Sequence, residues 1–294
     1  MTQEREQWLE ERRRGIGGSD IAAIMGLNPY KSALSVYYDK IGENKSSEEN
    51  IPAEVGLELE SYLRRKFVQY IKREEGIDIE VFQYEAGNIP HREHGFIRAN
   101  PDGMFIHPDK GDCGLELKTA GERQGDKWQE GEIPDSYYLQ CQHYMAVMGW
   151  QWMAICCLLA NRKIIVEWVP RNEEVIKAII DTCKVFWHEH VLKKEPPAPM
   201  GMDADRDVLG RLYQPEDGKV VDLSDKLSLY DEYKGLSNAA KSITERIELI
   251  KQLIMADMQD AEIAQIGDHK ATWKTVERKG YTVEPSKSRV FRIY

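Results

Sequence analysis

The sequence has little cysteine and no long apolar run, and these absences exclude several classes of protein. Its five cysteines in 294 residues include no pair at CxxC spacing, so neither a disulfide scaffold nor a cysteine-bound zinc or iron–sulfur site is predicted. No stretch of sequence is apolar enough to cross a membrane, and the first residues lack the apolar core of a secretory signal peptide. We therefore expect a cytoplasmic globular protein with buried thiols.

An excess of positive charge is also missing, since the formal net charge is −10. This balance argues against a protein that coats DNA, because neutralisation of phosphates drives such binding. The charge is uneven, however. Residues 12–14 are all arginine, residues 270–294 carry seven Lys or Arg against two Asp or Glu, and residues 203–232 carry nine Asp or Glu against four Lys or Arg. An acidic exterior with a local basic groove is compatible with an enzyme that releases a nucleic-acid product.

Two carboxylates and a lysine occur in neighbouring predicted strands. Asp102 lies in a Pro-Asp-Gly turn between apolar segments, as in a hairpin. The string GLELKTA places Glu116 and Lys118 two residues apart, so on a strand they project from the same face. A carboxylate pair binds a hard cation such as Mg²⁺, and a nearby lysine can hold the attacking water. The pattern favours phosphodiester hydrolysis, although a surface turn followed by an edge strand would read alike.

Two predicted helices carry further polar candidates. Glu60 lies beside the apolar stripe of GLELESYLRRKFVQYI, where it is either a solvated flank or directed at a metal site. Gln140 and Tyr144 stand one turn apart in PDSYYLQCQHYMAVMG, for which Asp135 is the predicted N-cap and Gly149 the predicted end. Following the LELK strand, Gln140 is placed to hydrogen-bond a water or a phosphate.

The segment RRRGIGGSDIAAIM predicts either an anion site or a capped helix. Glycines before a helix let backbone N–H groups approach a phosphate, which the positive end of the helix dipole favours. Ser19 and one of the arginines would then donate to phosphate oxygens. In the alternative interpretation Ser19 or Asp20 is the N-cap and the arginines are solvated.

The order of GIGGSD, GLELE, PDG, ELK and YYLQCQHYM resembles that of the YqaJ-like, lambda-type phage recombination exonucleases of the PD-(D/E)xK nuclease superfamily, over roughly residues 5–190. The resemblance implies Mg²⁺, with Mn²⁺ able to substitute, bound by Asp102, Glu116 and the carbonyl of Leu117. It makes Lys118 the catalytic lysine and gives a role beside the metal or water to Glu60. Gln140 takes the family's glutamine position three residues after Tyr137, with Gln142 as an alternative.

The resemblance also implies how the substrate is held and what becomes of it. Capture of a 5′-terminal phosphate by an arginine and a serine seven residues apart selects Arg12 with Ser19, with Arg13 and Arg14 as alternatives; Arg14 and Tyr137 are further candidate DNA contacts. The implied activity is 5′-to-3′ resection of double-stranded DNA ends by a trimeric ring, leaving a 3′ tail for a single-strand annealing protein. The source would be a phage or prophage acting in the bacterial cytoplasm. An endonuclease with the same site and a non-catalytic DNA-binding accessory protein are the alternatives.

The predicted fold is α/β (α+β), a restriction-endonuclease-like core at residues 1–192. Strands are predicted near 78–84, 94–99, 103–107, 114–119, 151–159 and 163–169, and a closing helix near 173–192. A proline-rich linker at 193–202 would lead to an extension at 203–294. That extension combines a long helix capped by Asp222, with an apolar seam from Leu236 to Met258, and a hairpin about Lys279-Gly280. Its predicted role is packing or self-association, with partner or duplex binding by the basic hairpin as the alternative.

Overall fold

A computed structural model of the chain describes residues 10–43, 51–84, 88–122, 128, 132–277, 291 and 293. The chain divides into two units, Met1–Gln214 and Pro215–Tyr294. Within the described ranges, none of the helices combines the length and the apolar character needed to span a bilayer.

The first unit contains both strands and helices. Its described elements are β1 (Ile16–Gly17), α1 (Gly18–Ile24), α2 (Ala33–Lys40), α3 (Ile51–Glu74), β2 (Ile89–Pro90), β3 (Ile97–Ala99), β4 (Gly103–His107), β5 (Gly111–Ala120), α4 (Asp135–Met148), β6 (Trp152–Leu159), β7 (Lys163–Pro170), α5 (Glu173–Val185) and α6 (Asp203–Leu212). The predicted α/β class is confirmed.

The larger sheet has the strand order β4-β5-β6-β7. β5 and β6 are parallel, whereas the two outer pairs are antiparallel. Parallel neighbours need a crossover connection, and α4 lies between them in the chain. Because side chains alternate along a strand, Leu115 and Leu117 of β5 face one side of this sheet and Glu116 and Lys118 face the other.

Helices cover both faces of the larger sheet. α3 buries Leu63, Phe67 and Ile71 in the cluster that contains Leu115 and Leu117. α4 buries its side chains in a second cluster, with the alternate residues of β6; its members include Cys141, Tyr144, Met145, Met153, Ile155 and Cys157. Glu116 and Lys118 therefore lie under α4, the helix that carries Gln140.

A smaller sheet with the order β1-β3-β2 joins the N-terminal segment to this core. β1 is parallel to β3, and Ile16 pairs with Ile97. Both side chains are fully buried in a third cluster, with residues of α1, α2 and α5. The short β1 thus fixes the start of α1, the helix that opens with Gly18 and Ser19.

Several predicted element ends differ from the structure. No strand forms at residues 78–84, where Phe82 makes a single bridge to Met104 at the edge of the sheet. The N-cap of α4 is Pro134, and Asp135 is its first residue, where a carboxylate still favours the helix dipole. α5 is α-helical to Val185 and continues as a π-helix over Phe186–Leu192. Ser32 is the N-cap of α2 and Asn172 is the N-cap of α5. The side chain of each accepts hydrogen bonding from backbone N–H groups of the first helical turn.

The boundary between the units lies after the predicted one. The division falls at residue 214 and not in the proline-rich segment 193–202, so α6 belongs to the first unit. Val208 of α6 is buried with the N-terminal cluster, and Asp205 Oδ2 accepts hydrogen bonds from the backbone N–H groups of Met200 (2.7 Å) and Met202 (3.1 Å). The prolines end the preceding helix, yet the chain beyond them packs back onto the core.

The second unit consists of a 3₁₀ turn (Ser224–Lys226), α7 (Leu227–Met258) and a hairpin of β8 (Ile263–Ile266) and β9 (His269–Thr272). The long helix was predicted, but Asp222 accepts from Ser224 N within the preceding turn and does not cap it. Its apolar seam is largely exposed, with Leu236 64% and Ile243 62% accessible. The observed hairpin turns at Gly267, whereas the predicted turn at Lys279-Gly280 lies outside the described residues.

Gly114 of β5 tests how tightly the sheet is packed under α4. A Cβ at this position would lie 2.4 Å from a ring atom of Trp150 and 3.0 Å from Met153 Cε. We expect Gly114→Val to lower the free energy of unfolding by about 1–3 kcal/mol or more, because overpacking displaces buried groups. Gly210 of α6 is the matched control, since a Cβ there meets nothing within 4 Å. Gly210→Ala should stabilise the protein by about 0.5–1 kcal/mol. Denaturant unfolding followed by circular dichroism measures both changes, and equal stability of the two variants would contradict this description of the core.

Candidate active site

Two carboxyl groups meet where β4 begins beside β5. Gly103 pairs with Leu115 in the antiparallel ladder, which places Asp102 next to Glu116. Asp102 Oδ2 accepts a hydrogen bond of 2.7 Å from Leu117 N, and the Asp102 carboxylate is close enough for its charge to raise the pKa of Glu116. Glu116 is 2% exposed, so this pair lies at the floor of a cleft rather than on the surface.

Lys118 and Gln140 converge on one oxygen of Glu116. The Lys118 ammonium donates to Glu116 Oε1, as expected for residues two apart on one strand face, and Gln140 Nε2 approaches the same oxygen at 2.5 Å. Gln140 Nε2 also lies 3.0 Å from the hydroxyl of Tyr144. Glu116 Oε2 is buried and has no hydrogen-bond partner within the described residues. One oxygen of this carboxyl group is therefore left to face a ligand.

Burial controls the protonation of this cluster. It raises the pKa of Glu116 to about 8, with the Asp102 carboxylate adding to the rise and Lys118 opposing it. Burial likewise raises the pKa of Asp102. For Lys118 burial alone would lower the pKa, but the Glu116 and Asp102 carboxylates outweigh it and the pKa is raised. Lys118 alone does not supply enough positive charge to offset the burial of the two carboxyl groups. A divalent cation bound beside them would supply the rest.

Glu60 of α3 reaches the same cleft with a partner that the sequence reasoning missed. Arg64 Nη2 donates to Glu60 Oε2 at 2.6 Å, and Arg64 Nε donates to the backbone carbonyl of Asp102 at 3.2 Å. Burial, followed by the Asp102 charge, raises the pKa of Glu60. Arg64 thus ties the helix to the carboxylate pair, and its i,i+4 spacing from Glu60 was the available signal.

The oxygen donors fit a hard cation. The group consists of the Asp102 and Glu116 carboxylates and the backbone carbonyl of Leu117, the residue after Glu116, and the unpaired Glu116 Oε2 is the observation that supports it. Within the described ranges no cluster of three or more His, Cys, Asp or Glu side chains is arranged to hold a metal. Mg²⁺ commonly uses one or two carboxylates and completes its shell with water and phosphate. Two carboxylates and a carbonyl are thus a donor set that fits Mg²⁺.

Arg12 and Ser19 lie together in the same cleft and form its predicted phosphate end. Arg12 Nη2 donates to Ser19 Oγ at 3.0 Å. Both line a cleft of 740 Å³ whose wall also includes the predicted catalytic and metal-binding positions Glu60, Asp102, Glu116, Leu117, Lys118 and Gln140. A phosphate held by Arg12 and Ser19 would thus share one cavity with the carboxylate pair.

The alternatives to Arg12 and Gln140 lie elsewhere. Arg14 is 63% exposed at its side chain and pairs with Glu11 at 2.6 Å, and the guanidinium of Arg13 lies near Gly42. Gln142 is buried between backbone groups, donating to Pro170 O (2.8 Å) and accepting from Asn172 N (2.9 Å). The positions of these three side chains favour Arg12 and Gln140 among the predicted candidates.

Tyr137 lies beside Lys118, the predicted catalytic lysine, and is not among the residues that line the cleft with Arg12 and Ser19. Its ring centroid is 5.1 Å from Lys118 Nζ, a cation–π arrangement. Burial raises the pKa of its hydroxyl, so the ring is neutral at physiological pH. Tyr137 and Glu116 thus both contact the Lys118 ammonium.

Asp20 organises the phosphate end and was not predicted to do so. It is fully buried and accepts from Gly17 N at 3.1 Å, while the cations of Lys40 (2.7 Å), Lys31 (3.5 Å) and Arg12 (3.6 Å) surround it. Burial alone would raise the pKa of Asp20, but these three cations outweigh it and hold that pKa well below its usual range. The N-cap of α1 is Gly17, so Asp20 is at the third helical position and neither Ser19 nor Asp20 is the N-cap.

Gly18 brings the phosphate end close to α4. A Cβ on Gly18 would lie 2.5 Å from a ring carbon of Tyr144 and 3.0 Å from Gln140 Cγ. The sequence suggested that this glycine lets backbone approach an anion. The structure gives it a second reason, since only a residue without a side chain lets α1 pack directly on the helix that carries Gln140.

Comparison with known proteins places this chain among recombination proteins. The profile described as the YqaJ-like viral recombinase domain matches residues 7–151. The uncharacterized protein YqaJ of Bacillus subtilis (strain 168) is 30% identical over 281 residues, which cover 92% of this chain and 84% of that protein.

Two solved structures resemble this chain more distantly. An alkaline exonuclease, LHK-Exo, from Laribacter hongkongensis superposes with a TM-score of 0.49 at 20% identity, covering 65% of this chain and 94% of that one. A phage related exonuclease from Haemophilus somnus 129PT gives a TM-score of 0.42 at 14% identity, covering 61% and 96%.

Asp20→Asn tests the buried charge cluster. Removing the carboxylate leaves three cations without their common partner, so we expect the free energy of unfolding at neutral pH to fall by about 3–5 kcal/mol. The folded-state pKa of Asp20 lies below the ordinary value of 3.8. The stabilisation by its carboxylate is therefore complete above pH 3.8 and is lost progressively as the pH falls from there towards the folded-state pKa. The difference between parent and variant should therefore be constant above about pH 5 and shrink below about pH 4.

Denaturant unfolding at a series of pH values measures this difference. Asp203→Asn is the matched control, because Asp203 forms an exposed pair with Arg206 and should change stability by less than about 1 kcal/mol. A pH-independent loss in Asp20→Asn, or an equal loss in the control, would contradict the assignment.

Proposed function

Because the chain belongs to the family of YqaJ-like viral recombinase domains, we propose that it is a metal-dependent deoxyribonuclease that resects the ends of double-stranded DNA. The observation that carries this proposal is the Asp102–Glu116 pair, in which Glu116 is buried with one oxygen unpaired, beside Lys118 in the cleft that Arg12 and Ser19 also line. A solvated edge strand would not bury Glu116 and raise the pKa values of both carboxyl groups.

The residues of the cleft divide the chemistry among them. Asp102, Glu116 and the Leu117 carbonyl would hold Mg²⁺, which supplies an activated water and neutralises charge on the phosphate. Lys118 and Gln140 both reach Glu116 Oε1 and are therefore placed to orient a water next to that carboxylate for in-line attack on phosphorus. Glu60, held by Arg64, adds a further carboxylate to the lining of the cleft.

The Arg12–Ser19 pair gives the enzyme its preference for an end. A guanidinium and a hydroxyl 3.0 Å apart suit the dianionic phosphate at a 5′ terminus. Cleavage at the carboxylate pair would then release nucleotides from the 5′-ended strand and leave a 3′ single-stranded tail. An annealing protein would take up that tail in recombination.

Asp102→Ala tests the metal assignment. The variant loses a predicted ligand, so Mg²⁺-dependent digestion should fall by about 100-fold or more with no change in the circular dichroism spectrum. Asp112, exposed on the same strand as Glu116, is the matched control, and Asp112→Ala should digest like the parent.

The assay uses linear duplex labelled separately at each 5′ and each 3′ end, with Mg²⁺ or with EDTA, and a covalently closed circle as a second substrate. Loss of the 5′ labels first, on linear DNA alone, is the expected pattern. Digestion by Asp102→Ala at the parent rate would refute the site, and cutting of the circle would point to an endonuclease.

Arg12→Ala tests recognition of the terminal phosphate. Hydrogen bonds to charged groups contribute about 1.5–3 kcal/mol, so we expect a 5′-phosphorylated end to lose about 10- to 100-fold in kcat/KM. The rate on a 5′-hydroxyl end should change little, because that end offers Arg12 no dianion. Arg14→Ala should keep the parent's preference for a phosphorylated end. Equal losses in the two variants would show that the arginines contribute only general attraction to DNA.

A further inference from the structure

A second cavity lies beyond Tyr137, outside the cleft. It is a groove of 490 Å³ between the loop that follows α1 and the segment that enters α4, and its apolar and aromatic lining consists of Leu27, Pro29, Tyr30, Ile133, Pro134 and Tyr137. Tyr137 joins this groove to the active site, because its ring also contacts Lys118 Nζ at 5.1 Å. Only the ring of Tyr137 thus separates the described part of the groove from Lys118, the predicted catalytic lysine.

Tyr30 presents an aromatic ring at the mouth of this groove. It is 73% exposed although the turn that carries it is firmly held, since Asn28 Oδ1 accepts from Tyr30 N (2.8 Å) and from Lys31 N (3.1 Å). Lys31 is anchored in turn by Asp20 at 3.5 Å. The ring of Tyr30 is therefore exposed, while contacts with Asn28 and, through Lys31, with Asp20 hold the backbone that carries it.

The charges of the groove differ from those of the cleft. The cleft wall carries three cations, Arg12, Arg98 and Lys118, together with four acidic residues, Glu11, Glu60, Asp102 and Glu116. The described lining of the groove contains no Lys or Arg, and Glu132 and Asp135 add negative charge. The groove offers a backbone phosphate no cation within its described lining, whereas the cleft offers Arg12, Arg98 and Lys118. A nucleobase carries no net charge and has a face that can stack on an aromatic ring.

We propose that this groove binds an unpaired nucleobase at the end of the DNA strand, stacked against Tyr30 and beside Tyr137, while the adjoining phosphates stay in the cleft. This inference rests on the proposed nuclease function. A tyrosine ring loses little conformational entropy on binding and stacks on any base. The groove would hold the frayed end open next to the carboxylate pair, and the carboxylates at its rim can accept from base amino groups.

The test uses the full chain carrying Asp102→Ala, so that DNA is bound without being cut. The probe is a 5′-phosphorylated duplex whose terminal nucleotide is unpaired and contains 2-aminopurine, a base whose fluorescence is quenched on stacking. We expect Asp102→Ala to quench the probe, and the added change Tyr30→Ala to abolish the quenching and weaken binding about 5- to 100-fold. Tyr30→Phe keeps the ring and should keep both.

Tyr62 supplies the matched control, since it is a partly exposed tyrosine of α3 that lines neither cavity within the described residues. Tyr62→Ala in the Asp102→Ala background should quench like its parent. Quenching that persists in Tyr30→Ala, or is lost equally in Tyr62→Ala, overturns the inference.

Failure of the proposed function would look different from failure of this inference. A parent chain that digests no DNA end with Mg²⁺ refutes the nuclease, but the quenching assay needs no cleavage and still reports on the groove. If instead the parent digests linear DNA and Tyr30→Ala leaves both quenching and kcat/KM unchanged, the nuclease stands and the base-binding groove is wrong.

Discussion

The candidate site depends above all on the burial of one carboxyl group. Glu116 is placed under α4 by the alternation of β5, next to Asp102 and within reach of Lys118 and Gln140. Withdrawal from water raises its pKa to about 8, so the group is costly to ionise without more positive charge than Lys118 supplies. This shortage of positive charge around Glu116 supports the proposal that the site binds a cation.

A second buried carboxylate, Asp20, has the opposite environment. Three cations surround it and lower its pKa, so it stays charged and fixes Arg12 beside Ser19. The two parts of the cleft therefore differ in their electrostatics. Positive charge is scarce around Glu116, whereas three cations surround the ionised carboxylate of Asp20. Gly18, packed on Tyr144 and Gln140, brings these two ends together in one cavity.

The chain beyond the proline-rich segment is divided between the two units. α6 returns to the core, where Val208 is buried, because prolines stop a helix without preventing the next one from packing. α7 belongs to the second unit, and its apolar seam remains largely exposed. The composition of residues 193–202 marks the end of a helix correctly but does not mark the end of a folded unit.

Local spacing in the sequence determined which side chains share an element face. The i,i+2 relation of Glu116 and Lys118, the stripe of α3 beside Glu60, and the seven-residue separation of Arg12 and Ser19 all follow from strand and helix periods or from the family's motifs. Only the tertiary structure shows that Gln140 contacts Glu116 while Gln142 does not, and that Arg12 contacts Ser19. It also shows the contacts of Asp20 with Arg12 and of Arg64 with Glu60. The physical reason is that these choices depend on contacts between segments distant in the chain, and burial sets their charge states, which no local pattern records.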